Sequence, residues 1–115
     1  MGDLEGARRF ALSLPETTEE PHFDMASFRV RGKIFATVPP DGEHLHVFVE
    51  EGEVHAAVAE DPAAFEPLLW GKRLRGLRVR LAAAGQDRVE ELLEESWRRK
   101  APARLAAGWE GPGRG

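Results

Sequence analysis

Apolar residues recur at every third or fourth position near both ends of the chain, which predicts two amphipathic helices. The first covers residues 3–14, begins at Asp3 and is stopped by Pro15. The second covers residues 86–100, with acidic residues early and basic residues late, the order that suits the helix dipole. Their apolar stripes consist of Leu4, Ala7, Phe10, Ala11 and Leu14, and of Val89, Leu92, Leu93 and Trp97. A short last helical turn is expected in APARLAA, at 101–107.

Between these helices apolar and polar residues alternate with a period of two, which predicts β-strands. Strands are expected at 27–31, 34–38, 44–50, 66–70 and 77–81, the first two joined by a turn at Gly32. The polar stretch PETTEEP at 15–21 predicts a loop. Residues 51–61 fit a further strand, but their alanines and Asp61-Pro62 favour a short helix. This order predicts an α+β fold, an antiparallel sheet with helices packed on one face.

The chain of 115 residues has the length of one domain. We expect that domain over residues 1–107, followed by a flexible Gly- and Pro-rich tail over 108–115. The absence of cysteine excludes disulfides, thiolate nucleophiles and cysteine metal sites. No apolar run is long enough to span a membrane, and the first residues do not resemble a secretory signal. We therefore expect a cytoplasmic protein without a membrane partner.

Charge is distributed unevenly along the chain. Residues 1–66 hold 14 acidic and 5 basic residues, a net charge of −9, whereas residues 67–115 hold 6 acidic and 11 basic residues, a net charge of +5. The segment WGKRLRGLRVRL at 70–81 has five basic residues and no acidic one. Such asymmetry is typical of an anion-binding end, or of two halves that attract each other in the fold.

Arginines alternate with apolar residues in two of the predicted strands. If both lie in one sheet, Arg29, Arg31, Arg78 and Arg80 point to the face opposite the helices. Nearby turns would add Lys33, Lys72, Arg73 and Arg75. Such a face can contact phosphates, because guanidinium groups match phosphate oxygens. The alternative is a solvated face whose arginines pair with Glu50, Glu53 or Glu66.

Other candidate sites are weaker. His44, His46 and Glu50 share one strand face and have the chemistry of metal ligands, but exposed strand histidines are the simpler interpretation, and we expect no metal. No nucleophile-elbow, P-loop or dinucleotide motif is present, so we expect no catalytic residue and no cofactor. Phe48 and Trp70 are assigned to the core rather than to base stacking. A pocket joining His22, Asp24 and Lys33 would instead favour a small-ligand protein.

The stretch ALSLPETTEEPHFDMASFRVRGKIFATV, the late basic strand and the LLEESWRR helix together resemble the MmcQ/YjbR family of small bacterial proteins. The resemblance covers roughly residues 3–107 and rests on overall pattern, because none of these motifs is a catalytic fingerprint. It implies a CyaY-like, or frataxin-like, α/β sandwich. The iron-binding acidic ridge of frataxins is not carried over, because the first helix offers only Asp3 and Glu5 beside Arg8 and Arg9.

Family members are described as DNA-binding on the basis of a double-wing fold analogy. The resemblance therefore implies a DNA-binding protein. We expect it to be non-enzymatic and to contact double-stranded DNA through the eight basic residues named above. The overall charge of −4 opposes non-specific binding, so that binding should be weak and salt-sensitive. The alternative is an interaction module for an acidic protein partner. We expect a monomer or weak dimer.

Overall fold

The structure is a computed structural model that describes residues 2–109. Its elements, in chain order, are α1 (Leu4–Ser13), β1 (Thr17–His22), β2 (Met25–Val30), β3 (Lys33–Val38), β4 (His44–Val47), α2 (Glu51–Glu60), β5 (Phe65–Trp70), β6 (Arg73–Arg80), α3 (Gln86–Lys100) and α4 (Ala103–Ala107). The strands form one antiparallel sheet in the order β1-β2-β3-β4-β6-β5. The α+β prediction is confirmed.

Both long helices form where the apolar stripes place them. The side chain of Asp3 caps α1 by accepting a hydrogen bond from the backbone N–H of Gly6, at 2.7 Å. The buried residues of α3 include the whole predicted stripe and also Ser96. The indole N–H of Trp97 donates to the carbonyl of Pro15 at 3.1 Å. This bond fastens α3 to the point where α1 has ended.

The prediction of a loop over 15–21 is wrong, because β1 occupies most of it. β1 pairs with β2 from Thr17↔Val30 to His22↔Met25. It lies at the edge of the sheet and buries none of its residues, so it has no apolar alternation that would reveal it. The ladder of backbone hydrogen bonds to β2 forms it instead.

Several strand boundaries also differ from those predicted. β4 ends at Val47, so Phe48 lies just outside the strand predicted to run through it. β5 begins at Phe65, and β6 begins at Arg73 rather than at 77, with Gly71 at positive φ in the turn between them. The ambiguous stretch 51–61 is helical, as favoured. The basic segment is therefore a long β-hairpin rather than a turn followed by a short strand.

The core lies between the sheet and the helices. Its largest fully buried side chains include Trp97, Phe28 and Phe35. The opposite face of the sheet carries the alternate, mostly polar residues and forms the open face of the molecule. Pro21 and Pro67 lie in the two outermost strands, where a residue without an N–H is tolerated. Over residues 2–109 no helix combines the length and apolarity needed to cross a bilayer.

Candidate functional site

One row of aligned residues crosses all six strands on the open face. Pairing across the sheet places Glu20, Ser27, Thr37, His46, Arg78 and Glu66 in register. We call these six residues the polar row. Side-chain hydrogen bonds link its members in the centre of the sheet, where Thr37 contacts His46 and Arg78 contacts both His46 and Glu66.

His46 is a neutral histidine held between two partners. Its Nε2 lies 2.7 Å from Nη1 of Arg78, and its Nδ1 lies 3.4 Å from Oγ1 of Thr37. A guanidinium only donates, so Nε2 accepts and the ring proton is on Nδ1. Burial, then the positive charge of Arg78, lowers the pKa of His46 to about 4. The centre of the open face therefore carries a neutral imidazole at physiological pH.

Three of the eight predicted arginines and lysines form side-chain hydrogen bonds or ion pairs within the described protein. Arg78 pairs with Glu66 at 3.0 Å and with Asp41 at 3.5 Å. Arg29 donates to the hydroxyl of Ser27 at 3.0 Å and to the carbonyl of Pro21 at 3.1 Å. Arg78 therefore follows the second of the two predictions, in which the arginines of the open face pair with carboxylates of the protein.

The third, Arg31, does not lie on the open face, and that part of the prediction is wrong. It sits in the turn after β2 with a φ of 49°, which breaks the alternation of the strand. Its guanidinium pairs with Glu16 at 2.6 Å and lines a groove with Leu105 and Trp109. This pairing raises the pKa of Arg31 and lowers the pKa of Glu16.

The other five predicted basic residues, Lys33, Lys72, Arg73, Arg75 and Arg80, are exposed and form no ion pair with another described residue. They do not form one continuous row on the open face. Lys72, Arg73 and Arg75 cluster at the end of the β5–β6 hairpin, whereas Lys33 begins β3 and Arg80 ends β6.

The structure has a pocket of about 410 Å³ beside Arg31 and a larger one on the open face. This open-face pocket has a volume of about 510 Å³, within the range of small-ligand sites. Its apolar lining residues are Met25, Ile34, Phe48, Leu68, Leu69 and Trp70, and its polar ones are His22, Thr37, His46, Arg75, Arg99 and Lys100. Among residues 2–109 no carboxylate lines it. Of the predicted trio, His22 lines this pocket, but Asp24 and Lys33 do not.

Arg99 and Lys100 were missed as site residues, because their place at the end of α3 was explained by the helix dipole alone. Together with Arg75 they surround the pocket, and Lys72 and Arg73 extend the same positive charge along the hairpin. We call these five residues the basic rim. The sequence WRRK, with three cations directly after the apolar stripe of α3, is the signal that points to them.

Phe48 is fixed in the pocket wall by its own backbone. Its N–H donates to the hydroxyl of Ser96 at 3.0 Å, and its carbonyl accepts from Nη1 of Arg99 at 2.7 Å. The Ser96 hydroxyl in turn donates to the carbonyl of Phe35. The ring of Phe48 lies against Gly76, where a side chain would collide with Phe48 and with the carbonyl of Val47.

Trp70 is not a core residue, contrary to the prediction, and 73% of its surface is exposed. Edge strand β5 ends at this residue, so the sheet offers it no second neighbour. The guanidinium of Arg75 lies 5.1 Å from the centre of its indole ring, a cation–π contact that orients the ring at the pocket.

The histidines are occupied by protein partners. Nδ1 of His44 lies 2.8 Å from a carboxylate oxygen of Asp41, and His46 is held as described above. Glu50, the third suggested ligand, precedes α2 as its N-cap residue. Over residues 2–109 no three His, Asp or Glu side chains converge as metal ligands would.

Comparison with known proteins agrees with this architecture. The crystal structure of the Deinococcus radiodurans protein DR2400, which has a DUF419 domain, matches with a TM-score of 0.73 and 19% sequence identity, over 84% of this chain and 77% of that chain. At that identity the likeness shows the fold alone. No curated protein matches. Residues 12–99, most of the chain, match the model of the YjbR family. This chain therefore belongs to the YjbR family.

Proposed function

We propose that this protein binds nucleic acid without catalysis, and contacts the phosphate backbone of DNA through its open face and the β5–β6 hairpin. The observation that carries the proposal is the basic rim beside a pocket whose lining, in the part of the chain that the structure describes, contains no carboxylate. Guanidinium and ammonium groups attract the phosphate oxygens of nucleic acid whatever its base sequence.

The pairing of the basic residues decides which of them are available to a phosphate. Arg31 and Arg78 would have to exchange a carboxylate for the phosphate, which leaves little net gain. The five residues of the basic rim form no ion pair with another described residue, so a phosphate need not displace a carboxylate from them. The interface therefore shifts from the centre of the sheet toward the hairpin and the end of α3.

Part of the acidic charge lies among the helices. Glu53 and Glu60 of α2 pair with Arg88 of α3 at 3.0 and 3.2 Å, among the helices. The net charge of the chain is −4, although the basic rim is positive. Because a net negative charge repels a polyanion at long range, we expect modest affinity that falls steeply with salt.

The test is fluorescence anisotropy with a short labelled duplex and a labelled single strand of the same sequence, measured over a salt series. For roughly four phosphate contacts the logarithm of the association constant should fall with the logarithm of salt with a slope of about −3 to −4 on the duplex. The variant Arg75→Glu/Lys100→Glu should abolish binding. A matched control is Arg9→Glu/Arg104→Glu, which changes the net charge equally at two exposed arginines on the helical side.

The control should bind nearly as well as the wild type, since its changes lie away from the rim. Absence of binding at low salt by a folded wild-type protein would refute the proposal. Equal loss in both double variants would also refute it, because binding would then depend on net charge alone. An acidic protein partner at the same surface remains the alternative that those outcomes would favour.

A further inference from the structure

We infer that the open-face pocket receives one unstacked nucleobase of a single strand, with the adjoining phosphate on Arg99 and Lys100. This inference rests on the proposed function and names its ligand more closely. It predicts that single-stranded nucleic acid is preferred to duplex.

The wall of the pocket has the chemistry of a base-stacking site. Trp70 and Phe48 provide two aromatic rings, and Leu68 of β5 adds apolar surface. Arg75 already covers part of the Trp70 indole, but the 73% exposure of this residue leaves surface for a second flat partner. Aromatic rings stack on any base, because every base presents a π-face.

Both rings are held in place before any ligand arrives. Phe48 is fixed by hydrogen bonds to Ser96 and Arg99, and its ring lies against Gly76. Trp70 is oriented by Arg75. A preformed stacking surface loses less conformational entropy on binding than a mobile one.

Charge is arranged so that the floor is neutral and the rim is positive. His46 and Thr37 lie at the floor, and the His46 imidazole is uncharged as its partners require. Arg75, Arg99 and Lys100 stand around it without a lining carboxylate. A ligand with a flat uncharged ring and an anionic group fits this arrangement, and a nucleotide unit has both.

A base within a duplex is paired and stacked, so it can enter a concave site only by being flipped out. Unstacking and unpairing cost a few kcal/mol, whereas a single strand has already met most of that cost. Single-stranded and duplex nucleic acid both present phosphates, so the basic rim alone does not distinguish them. The pocket is therefore the feature that should create a preference for single strands.

The test compares three labelled probes by anisotropy at one salt concentration: a single strand, an abasic strand of equal length and a duplex hairpin. The single strand should bind at least about tenfold more tightly than the abasic strand, which keeps the phosphates but lacks the bases. Trp70→Ala should weaken binding of the single strand by about 5- to 100-fold and leave the abasic strand unaffected. Trp70→Phe should restore most of the affinity.

The matched control is Leu12→Ala, which removes an exposed apolar side chain from α1. It should leave the affinity for all three probes unchanged. Quenching of tryptophan fluorescence when the single strand binds gives a second readout on the wild type. Trp70→Phe should remove it, since Trp97 is fully buried and Trp109 lies in the separate groove beside Arg31.

Equal affinity for the single and abasic strands would overturn the base pocket while leaving phosphate binding intact. Failure of all three probes would instead sink the proposed function itself. Displacement of the strand by millimolar deoxyadenosine monophosphate would support the pocket. Tighter binding of that monophosphate than of the strand would assign the site to free nucleotides and overturn the preference for a strand.

Discussion

Nη1 of Arg78 lies 2.7 Å from Nε2 of His46, across the pairing of β4 and β6 at the centre of the open face. Because the guanidinium donates, the imidazole accepts and remains neutral. The same arginine pairs with Glu66 on its other neighbouring strand. One side chain thus connects three strands.

The neutral state of His46 should make stability depend on pH. Its pKa, about 4 in the fold, lies below the ordinary value of 6.5, so the unfolded chain binds a proton between those values and the folded chain does not. The free energy of unfolding should therefore be highest above pH 6.5 and fall as the pH drops toward 4. Urea unfolding at pH 7 and pH 5 measures this loss.

The variant His46→Gln should lose less stability between pH 7 and pH 5 than the wild type. His55→Gln is the control, because 68% of the His55 side chain is exposed and its removal should leave the pH dependence unchanged. The assignment is wrong if the His46 variant retains the full wild-type slope.

A side chain at Gly76 should destabilise the protein. In Gly76→Ala the new methyl group would collide with the carbonyl of Val47 and the ring of Phe48, at a cost of about 1–3 kcal/mol. Thermal unfolding should show a decrease of several degrees. Gly52→Ala in α2 meets no atom within 4 Å and should be neutral or slightly stabilising. Similar melting temperatures for the two variants would contradict this account.

Removal of the Ser96 hydroxyl should make the backbone at Phe48 more mobile. Ser96→Ala leaves the buried N–H of Phe48 without its partner, which costs about 1–3 kcal/mol. Amide hydrogen exchange at Phe48 should accelerate more than at neighbouring positions. Ser13→Ala removes a hydroxyl bound to a carbonyl near the exposed end of α1 and should have a smaller effect. Unchanged exchange at Phe48 would show that the bond does not hold this segment.

The basic residues should contribute unequally to nucleic-acid binding. Arg75→Ala and Lys100→Ala should each weaken binding and make its salt dependence shallower by roughly one phosphate contact. Arg31→Ala should have little effect, since its guanidinium is paired with Glu16 beside α4. The measurement is the salt series described above, run on single alanine variants. Equal effects at Arg31 and Arg75 would show that ion pairing does not govern the interface.

Sequence periodicity was sufficient for the elements that bury one face. The stripe ending at Trp97 and the alternation around Phe28 and Val79 identify α3, β2 and β6, because burial imposes the period. β1 could not be found in this way. It forms through backbone pairing at an edge and buries no side chain that would mark it.

The pocket was beyond sequence reasoning for a different reason. Met25, Leu68 and Lys100 lie in distant parts of the chain, and only the three-dimensional arrangement of the sheet and α3 brings them together. Trp70 was assigned to the core because it is large and apolar, but its strand proved to be outermost. Both the pocket and the exposure of Trp70 depend on the order of the strands in the sheet, which sequence periodicity does not reveal.

The prolines at the two edges of the sheet have a consequence for behaviour in concentrated solution. Pro21 and Pro67 remove an N–H from each outermost strand, so a second chain cannot continue the ladder without a gap. Growth of fibrils by strand addition is thereby disfavoured at both ends. The sheet is therefore poorly suited to pairing edge to edge with other copies of the chain, even at high protein concentration.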